Sequence, residues 1–319
     1  MDKESVLKES KPLKKMKVHG NNFFNNIPWK NIGFQATNLG YAIDIWKKIE
    51  KNRKQTTIFF GFTSNIISSG LRDIITWLVK NKKIDVIVTT AGGVEEDIIK
   101  LLKPFVLDKD AWKWKGKQLR EKGINRIGNI LVPNDRYIAF EKHMTPFFKK
   151  LISQKQTWRV KEFIWELGKS VKDFNNKEES WVYWAYKHKI PVFSPAITDG
   201  SIGDMLYFFN KYESSLPLHL EIAEDLVEIN TIAVNSKNTG IIILGGGLVK
   251  HHIINANLMR EGADYAIYIN TAIEYDGSLS GAPAEESIAW GKIKNHKNVA
   301  EVWCDATIAF PILVKEVFK

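Results

Sequence analysis

The sequence predicts an α/β fold, a Rossmann-like doubly wound parallel sheet covered by helices on both faces, in a single large domain with a helical insertion. Two observations predict it. Short β-branched or aromatic runs alternate with helical stretches, and small, polar or acidic residues follow nearly every run.

In chain order the predicted strands are TTIFFGF (56–62), DVIVTT (85–90), IPVFSP (190–195), GIIILGG (240–246), YAIYIN (265–270) and VAEVWC (299–304). Each is rich in residues that fit a pleated, buried surface. Helical stretches fall between them at 69–81, 94–102, 203–212 and 226–236, and a long central region from about 136 to 187 forms the insertion. No Gly, Ser or Pro linker divides the chain, so the expected organisation is an N-terminal arm, 1–22, and one unit, 23–319. The arm alternates charges without the apolar run of a signal peptide, which predicts a mobile segment and a protein that stays in the cytoplasm.

Composition narrows the function classes. The 319 residues are 44% hydrophobic, enough for a sizeable core, and no segment is long and apolar enough to span a bilayer. The single cysteine, Cys304, excludes an intramolecular disulfide or a cysteine zinc site and is expected in the core. A net charge of +10 favours acidic partners, but runs such as KKMK and WKWKGKQLREK fit plain solvation equally well. No RNA-recognition octapeptide, paired CxxC or basic heptad zipper accompanies them, so no direct nucleic-acid partner is expected.

Open parallel sheets bind ligands beyond the carboxyl ends of their strands. Here those ends run into TSNIISSG (63–70), TTAGGVEED (89–97), SPAITDGSIGD (194–204), LGGGLVKHH (244–252), NTAIEYDGSLSG (270–281) and CDA (304–306). Their glycines let backbone N–H groups approach a phosphate, which suits a dinucleotide, although no GxGxxG follows a strand. The same ends gather Glu95, Glu96, Asp97, Asp199, Asp204, Glu274, Asp276, Glu285 and Glu286. Such a set favours a cationic ligand, while each carboxylate taken singly also fits a helix cap or first-turn charge. Adjacent His251 and His252 do not chelate from one helix face and no HxxxH or HExxH is present, so no metal is expected. A polycation accommodates the acids better.

The stretch from Asp276 to Lys294 sets Lys292 behind Glu285, Glu286 and Trp290. A lysine that loses its proton can form an imine, and the acids and indole suit a cationic amine. The same spacing also fits a surface helix with Pro283 early in it and Lys292 in its last turn, and local sequence does not separate the two. Glu286 and Lys292 would face different sides of an unbroken helix, so Gly291 is expected to end or bend it.

Taken together, TSNxxSSG, TTAGGVEED, GINRIGN (123–129), FSPAxTDGSxGDM, LGGGxVKHHxxNANLMR, YINTA, SGA and WGKI resemble, in order, the motifs of the deoxyhypusine synthases, along nearly all of the chain from Gly33 onward. The resemblance implies a deoxyhypusine synthase-like NAD-binding fold and an NAD-dependent transferase. Its reaction moves the 4-aminobutyl group of spermidine, through an enzyme-lysine imine, to one lysine of the translation initiation factor 5A precursor. It implies Lys292 as the covalent carrier and His251 as proton shuttle. Cofactor contacts would fall on Ser64, Asn65, Ser68, Thr90, Ala91, Gly92, Glu96, Asp199, Gly246, Thr271, Ala272, Asp305 and Ala306. Spermidine contacts would fall on Glu95, Glu96, Asp204, His251, Asn255, Gly277, Ser278, Glu286, Trp290 and Lys292. It further implies a homotetramer of two dimers with active sites at the dimer interface, and an N-terminal segment capping a neighbouring site.

One residue departs from the family pattern. Where well-known eukaryotic members read GSDSGA this chain reads GSLSGA, so Leu279 replaces an aspartate that holds an amine end of spermidine, with Asp276, Glu286 or Asp204 as candidate substitutes. Two alternatives stay open at this level: transfer to putrescine, as in homospermidine synthases, and an inactive paralogue serving a catalytic partner.

Overall fold

A computed structural model describes residues 26–319; the arm expected at 1–22 lies outside the described residues. Six parallel strands form the main sheet: β1 (Thr56–Phe62), β2 (Val86–Thr89), β3 (Val192–Phe193), β4 (Asn238–Leu244), β5 (Tyr265–Asn270) and β6 (Val299–Trp303). All six predicted strands are present. Their order is β6-β5-β4-β1-β2-β3, the Rossmann order. β1 pairs with β4 from Thr56↔Asn238 to Phe62↔Leu244, and the chain reverses its direction of travel across the sheet there. The crevice beyond that pair is where such a fold accepts a ligand.

The helices used below are α1 (Phe34–Lys51), α2 (Ser64–Ser68), α3 (Leu71–Lys80), α4 (Ala91–Leu102), α5 (Asp135–Ile152), α6 (Val160–Ser170), α7 (Trp181–His188), α8 (Ser201–Phe208), α9 (Ala223–Asn235), α10 (Gly247–Leu258), α11 (Ala284–Ala289) and α12 (Ala306–Phe318). Strand residues alternate between two buried layers, as period-2 geometry requires. Ile58, Phe60, Phe62, Ile242 and Ile267 pack with α1, α3, α4 and α12. Phe59, Val86, Ile241, Ile243 and Tyr268 pack with α9, α10 and the segment around Ala284 and Ile293.

Several boundaries differ from expectation. The helix expected at 69–81 is α3, starting at Leu71, and a separate short helix, α2, precedes it, divided from it by Ser69, which is extended (ψ 178). α4 begins at Ala91 rather than 94, with two glycines in its first turn. A Cβ on Gly92 would lie 2.5 Å from Ser64 Oγ and one on Gly93 2.0 Å from Thr89 Oγ1, so only glycine lets α4 approach α2 and β2 this closely. The insertion comprises α5, α6 and α7 and also a short strand, Thr157–Arg159, paired to His219–Glu221. A small antiparallel sheet of Val106–Leu107, Ile124–Ile127 and Ile130–Pro133 precedes it, with Gly128 (φ 59) in its hairpin turn. α1, α10 and α12 complete the layers beyond the predicted helices. Cys304, expected in the core, is half-buried at its margin.

Candidate active site

The carboxyl ends of β1, β4, β5 and β6 surround a cleft of about 440 Å³. Asn65, Gly246, Thr271, Ala272, Asp305 and Ala306 line it, joined by Ser280 and Thr307, which sequence reasoning missed. Gly246 stays bare because a Cβ there would lie 2.5 Å from Ser280 Cα. Asp305 caps α12, its Oδ1 accepting from Thr307 N (2.7 Å) and Thr307 Oγ1 (2.8 Å). α10 and α12 both start at this cleft, so their N-terminal amides place partial positive charge on its wall. That wall, with a side-chain-free glycine turn at the switch point, fits the diphosphate of a dinucleotide.

A second group lies between α2 and α4. Ser64 Oγ and Thr90 Oγ1 are 2.7 Å apart, and Ser68 donates to the Glu96 carboxylate. Lys100 closes the end of α2 by donating to the carbonyls of Ile67 (2.9 Å), Ser68 (3.2 Å) and Ser69 (2.9 Å). Ala91, Gly92, Glu95 and Glu96 are buried. Glu95 accepts from Ile202 N at 2.7 Å; burial pushes its pKa up, and the nearby charges of Asp204 and Asp199, both exposed, add to the rise. Asp97, counted with these acids in the sequence, faces the core instead. Fully buried, it receives Arg72 Nε at 2.7 Å and also Ser180 Oγ, and so ties α4 to α3 and α7.

Glu96 carries a pH prediction. Burial pushes its carboxyl from 4.5 up to about 7, partly offset by Ser68. An acid whose folded pKa is raised binds more protons folded than unfolded between the two values, so its contribution to stability is full below 4.5 and is lost as pH rises toward 7. Denaturant midpoints measured across that window should fall more steeply in the wild type than in Glu96→Gln. Equal slopes would remove Glu96 as the cause.

Lys292 lies in a third group. α11 stops at Ala289, and Gly291 takes φ 71, a left-handed conformation that turns the chain out of the helix, as the spacing of Glu286 and Lys292 requires. Lys292 is 8% exposed, and its Nζ lies 3.3 Å from His251 Nε2 and 5.5 Å from the centre of the Trp290 ring. Its backbone is held too: its N–H donates to the Ser287 carbonyl (2.8 Å), and its carbonyl accepts from Ala263 N (3.0 Å). Burial and then the Lys292 charge lower the pKa of His251, favouring the neutral imidazole. Asn255 shares its face of α10 at spacing i, i+4. Glu286, Gly277, Ser278 and Trp290 are exposed, Trp290 against the Lys292 amine. Asp276 Oδ1 accepts from Ser278 N at 2.7 Å, so this candidate substitute for the missing aspartate is engaged in its own turn.

The expected spermidine set therefore divides. His251, Asn255, Glu286, Trp290 and Lys292 belong to the layer of α10 and α11, whereas Glu95, Glu96 and Asp204 belong to the opposite layer with α4 and α8. Among the described residues no group of three His, Cys, Asp or Glu side chains could hold a metal ion, and no helix is long and apolar enough to cross a membrane.

Known proteins resemble the chain throughout. A family model described as deoxyhypusine synthase matches residues 28–317. A probable deoxyhypusine synthase of Methanocaldococcus jannaschii is 56% identical over 98% of this chain and 100% of its own length. The deoxyhypusine synthase of Senecio vernalis is 47% identical over 98% of this chain and 92% of its own. A crystal structure from Entamoeba histolytica with the same family description superposes with a TM-score of 0.67 at 29% identity, covering 94% of this chain and 96% of that one.

Proposed function

The chain belongs to the deoxyhypusine synthase family of enzymes, and from that premise we propose that it transfers the 4-aminobutyl group of spermidine to a lysine of the translation initiation factor 5A precursor. The observation that carries the proposal is the buried Lys292 amine held against neutral His251 and the Trp290 ring.

The chemistry that NAD would supply in the cleft is hydride acceptance from the carbon beside the secondary amine of spermidine, and return of that hydride at the end. Asn65, Gly246, Thr271, Ala272, Asp305 and Ala306 would hold it, with Ser64, Ser68, Thr90, Ala91, Gly92, Glu96 and Asp199 at the neighbouring strand ends. In its Nδ1–H tautomer His251 can take a proton from the Lys292 ammonium through Nε2. The freed amine adds to the spermidine imine carbon; the bond to the leaving nitrogen breaks, that nitrogen takes a proton, and 1,3-diaminopropane departs. Lys292 then carries the aminobutyl group as an imine. Attack by the acceptor lysine on the same carbon releases Lys292, and the second imine is reduced to deoxyhypusine. Trp290 would lie along the methylenes and attract the flanking cations, an effect of roughly 2 kcal/mol when desolvated.

We propose a dimer of dimers with active sites at the dimer interface, as the family resemblance implies, so that a second copy completes each site. Glu95, Glu96 and Asp204 would then meet the amine ends from across the interface. The protein would work in the cytoplasm, and the arm would cap a neighbouring site.

Product analysis with spermidine, NAD and either the factor precursor or putrescine tests the proposal. Deoxyhypusine formation is expected; homospermidine alone would replace the protein acceptor by putrescine. No product at all would favour the inactive paralogue, against which retained Lys292, His251, Glu286 and Trp290 argue. Leu279 makes the donor comparison informative as well, since equal use of spermidine and putrescine would show that tight spermidine recognition is lost.

A further inference from the structure

Beneath Lys292 lies a buried polar cluster that the proposed chemistry does not use. Lys250, one residue before His251 on α10, is fully buried. Its Nζ donates to the carbonyls of Leu279 (3.1 Å) and Ala282 (2.5 Å) and stands 4.6 Å from the centre of the Tyr268 ring. Tyr268 is the register partner of Glu301 across β5 and β6. The Glu301 carboxylate accepts from the N–H of Ala284, the first residue of α11, and Tyr268 Oη lies 3.4 Å from Ser287 Oγ. Ser287 in turn supplies the carbonyl that holds the Lys292 N–H.

Burying an ammonium is unfavourable unless it is fully hydrogen-bonded, and an apolar residue would fill the space without that penalty. Burial lowers Lys250 to about 8 and raises Glu301, while each charge favours the ionised form of the other. The groups they hold are backbone atoms of one segment: Leu279 and Ala282 in the loop, and Ala284 at the helix start. α11 is only six residues long and contributes little to its own placement. The Lys292 to His251 contact joins this segment to α10, so its geometry depends on how the segment is seated.

We propose that Lys250 and Glu301 are positioning residues: from below they seat the segment from Leu279 to Lys292 on the sheet, and so hold the Lys292 amine at His251. The catalytic meaning of this bracket rests on the aminobutyl-transfer reading; its geometry does not.

Two measurements on Lys250→Met, Glu301→Ala, Glu301→Gln and the double variant Lys250→Met/Glu301→Ala test it. The first is the rate of borohydride-trapped adduct formation on Lys292 with spermidine and NAD, with its pH profile. The second is labelling of Lys292 by pyridoxal 5′-phosphate and borohydride, read by mass spectrometry without spermidine or NAD. Lys250→Met should slow adduct formation by about 100-fold with a much smaller change in the spermidine KM, the scale expected when a reacting group is misplaced by about 1 Å. Glu301→Ala should act in the same direction, and Glu301→Gln should recover most of the loss because its amide oxygen still accepts from Ala284 N. The double variant should lose less than the combined single losses, because both residues act on one segment. Lys292 labelling should rise in Lys250→Met and Glu301→Ala as the segment loosens.

Adduct rate, pH profile and Lys292 labelling all at wild-type levels in folded variants would overturn the proposal. If Lys250→Met does not fold, the Ala and Gln variants of Glu301 decide it. If the wild type itself forms no adduct, the transfer reading fails, and the labelling comparison still decides the bracket.

Discussion

Lys292→Ala should fold normally and form no borohydride-trapped butylamine adduct with spermidine and NAD, with deoxyhypusine formation lowered on the order of 10⁴-fold or more, the scale on which removing a covalent nucleophile acts. The reason is the amine itself: Lys292 Nζ is 3.3 Å from His251 Nε2, and truncation to a methyl removes the group proposed to carry the aminobutyl chain. Lys292→Arg separates this role from simple electrostatics. An arginine keeps a cation near the Trp290 face, but its guanidinium does not lose its proton in a protein and cannot form the imine. Both variants should therefore be equally inactive. Arginine restoring turnover to within about tenfold of wild type would show that the charge, rather than the nucleophile, is what the site needs. Spermidine binding measured by calorimetry should persist in Lys292→Ala, since the carboxylates and indole are untouched and one repelling cation is gone.

The sheet was legible because its strands are buried on both sides and read as unbroken apolar runs, as in Ile58 to Phe62 and Ile241 to Leu244. Strand-end motifs likewise placed Asn65, Gly246, Thr271 and Asp305 at one crevice. What escaped was structure with a weak periodic signal. The antiparallel sheet at 106–133 uses strands of two to four residues, although Gly128-Asn129 between Ile127 and Ile130 is itself a hairpin signature. The run of three glycines at 245–247 concealed the start of α10, whose first residue, Gly247, takes φ 62. Within the site, sequence could not distinguish three consecutive acids. Successive helical residues point about 100° apart, so Glu95 meets Ile202, Glu96 meets Ser68 and Asp97 turns into the core toward Arg72. The same limit concealed Lys250, whose burial follows from tertiary packing alone.

Asp97→Ala should give the largest loss of stability, about 3–5 kcal/mol, because it strands a buried cation. Arg72 is 4% exposed, and besides Asp97 Oδ1 its guanidinium reaches the Asp97 carbonyl at 3.2 Å, so truncation leaves the charge with only a neutral acceptor. The other carboxylate oxygen accepts from Ser180 Oγ and from Val182 N (3.2 Å) at the start of α7, so donors on a second helix are also left unsatisfied. Denaturant unfolding measures the loss. Replacing both charges, Arg72→Met with Asp97→Leu, distinguishes its two parts. If the stranded cation dominates, the double variant should recover more than half the loss, since apolar packing replaces a buried pair at little net penalty. Recovery should stop short of wild type, because Ser180 Oγ and Val182 N keep unmet donors. No recovery would assign the whole effect to the α7 contacts. A functional consequence follows from position, since the same turn of α4 carries Glu95 and Glu96. A loosened α4 would move the acids proposed to meet the amine ends of spermidine, so any Asp97→Ala that folds should raise the spermidine KM more than it lowers adduct formation at saturating spermidine, the reverse of the pattern expected for Lys250→Met.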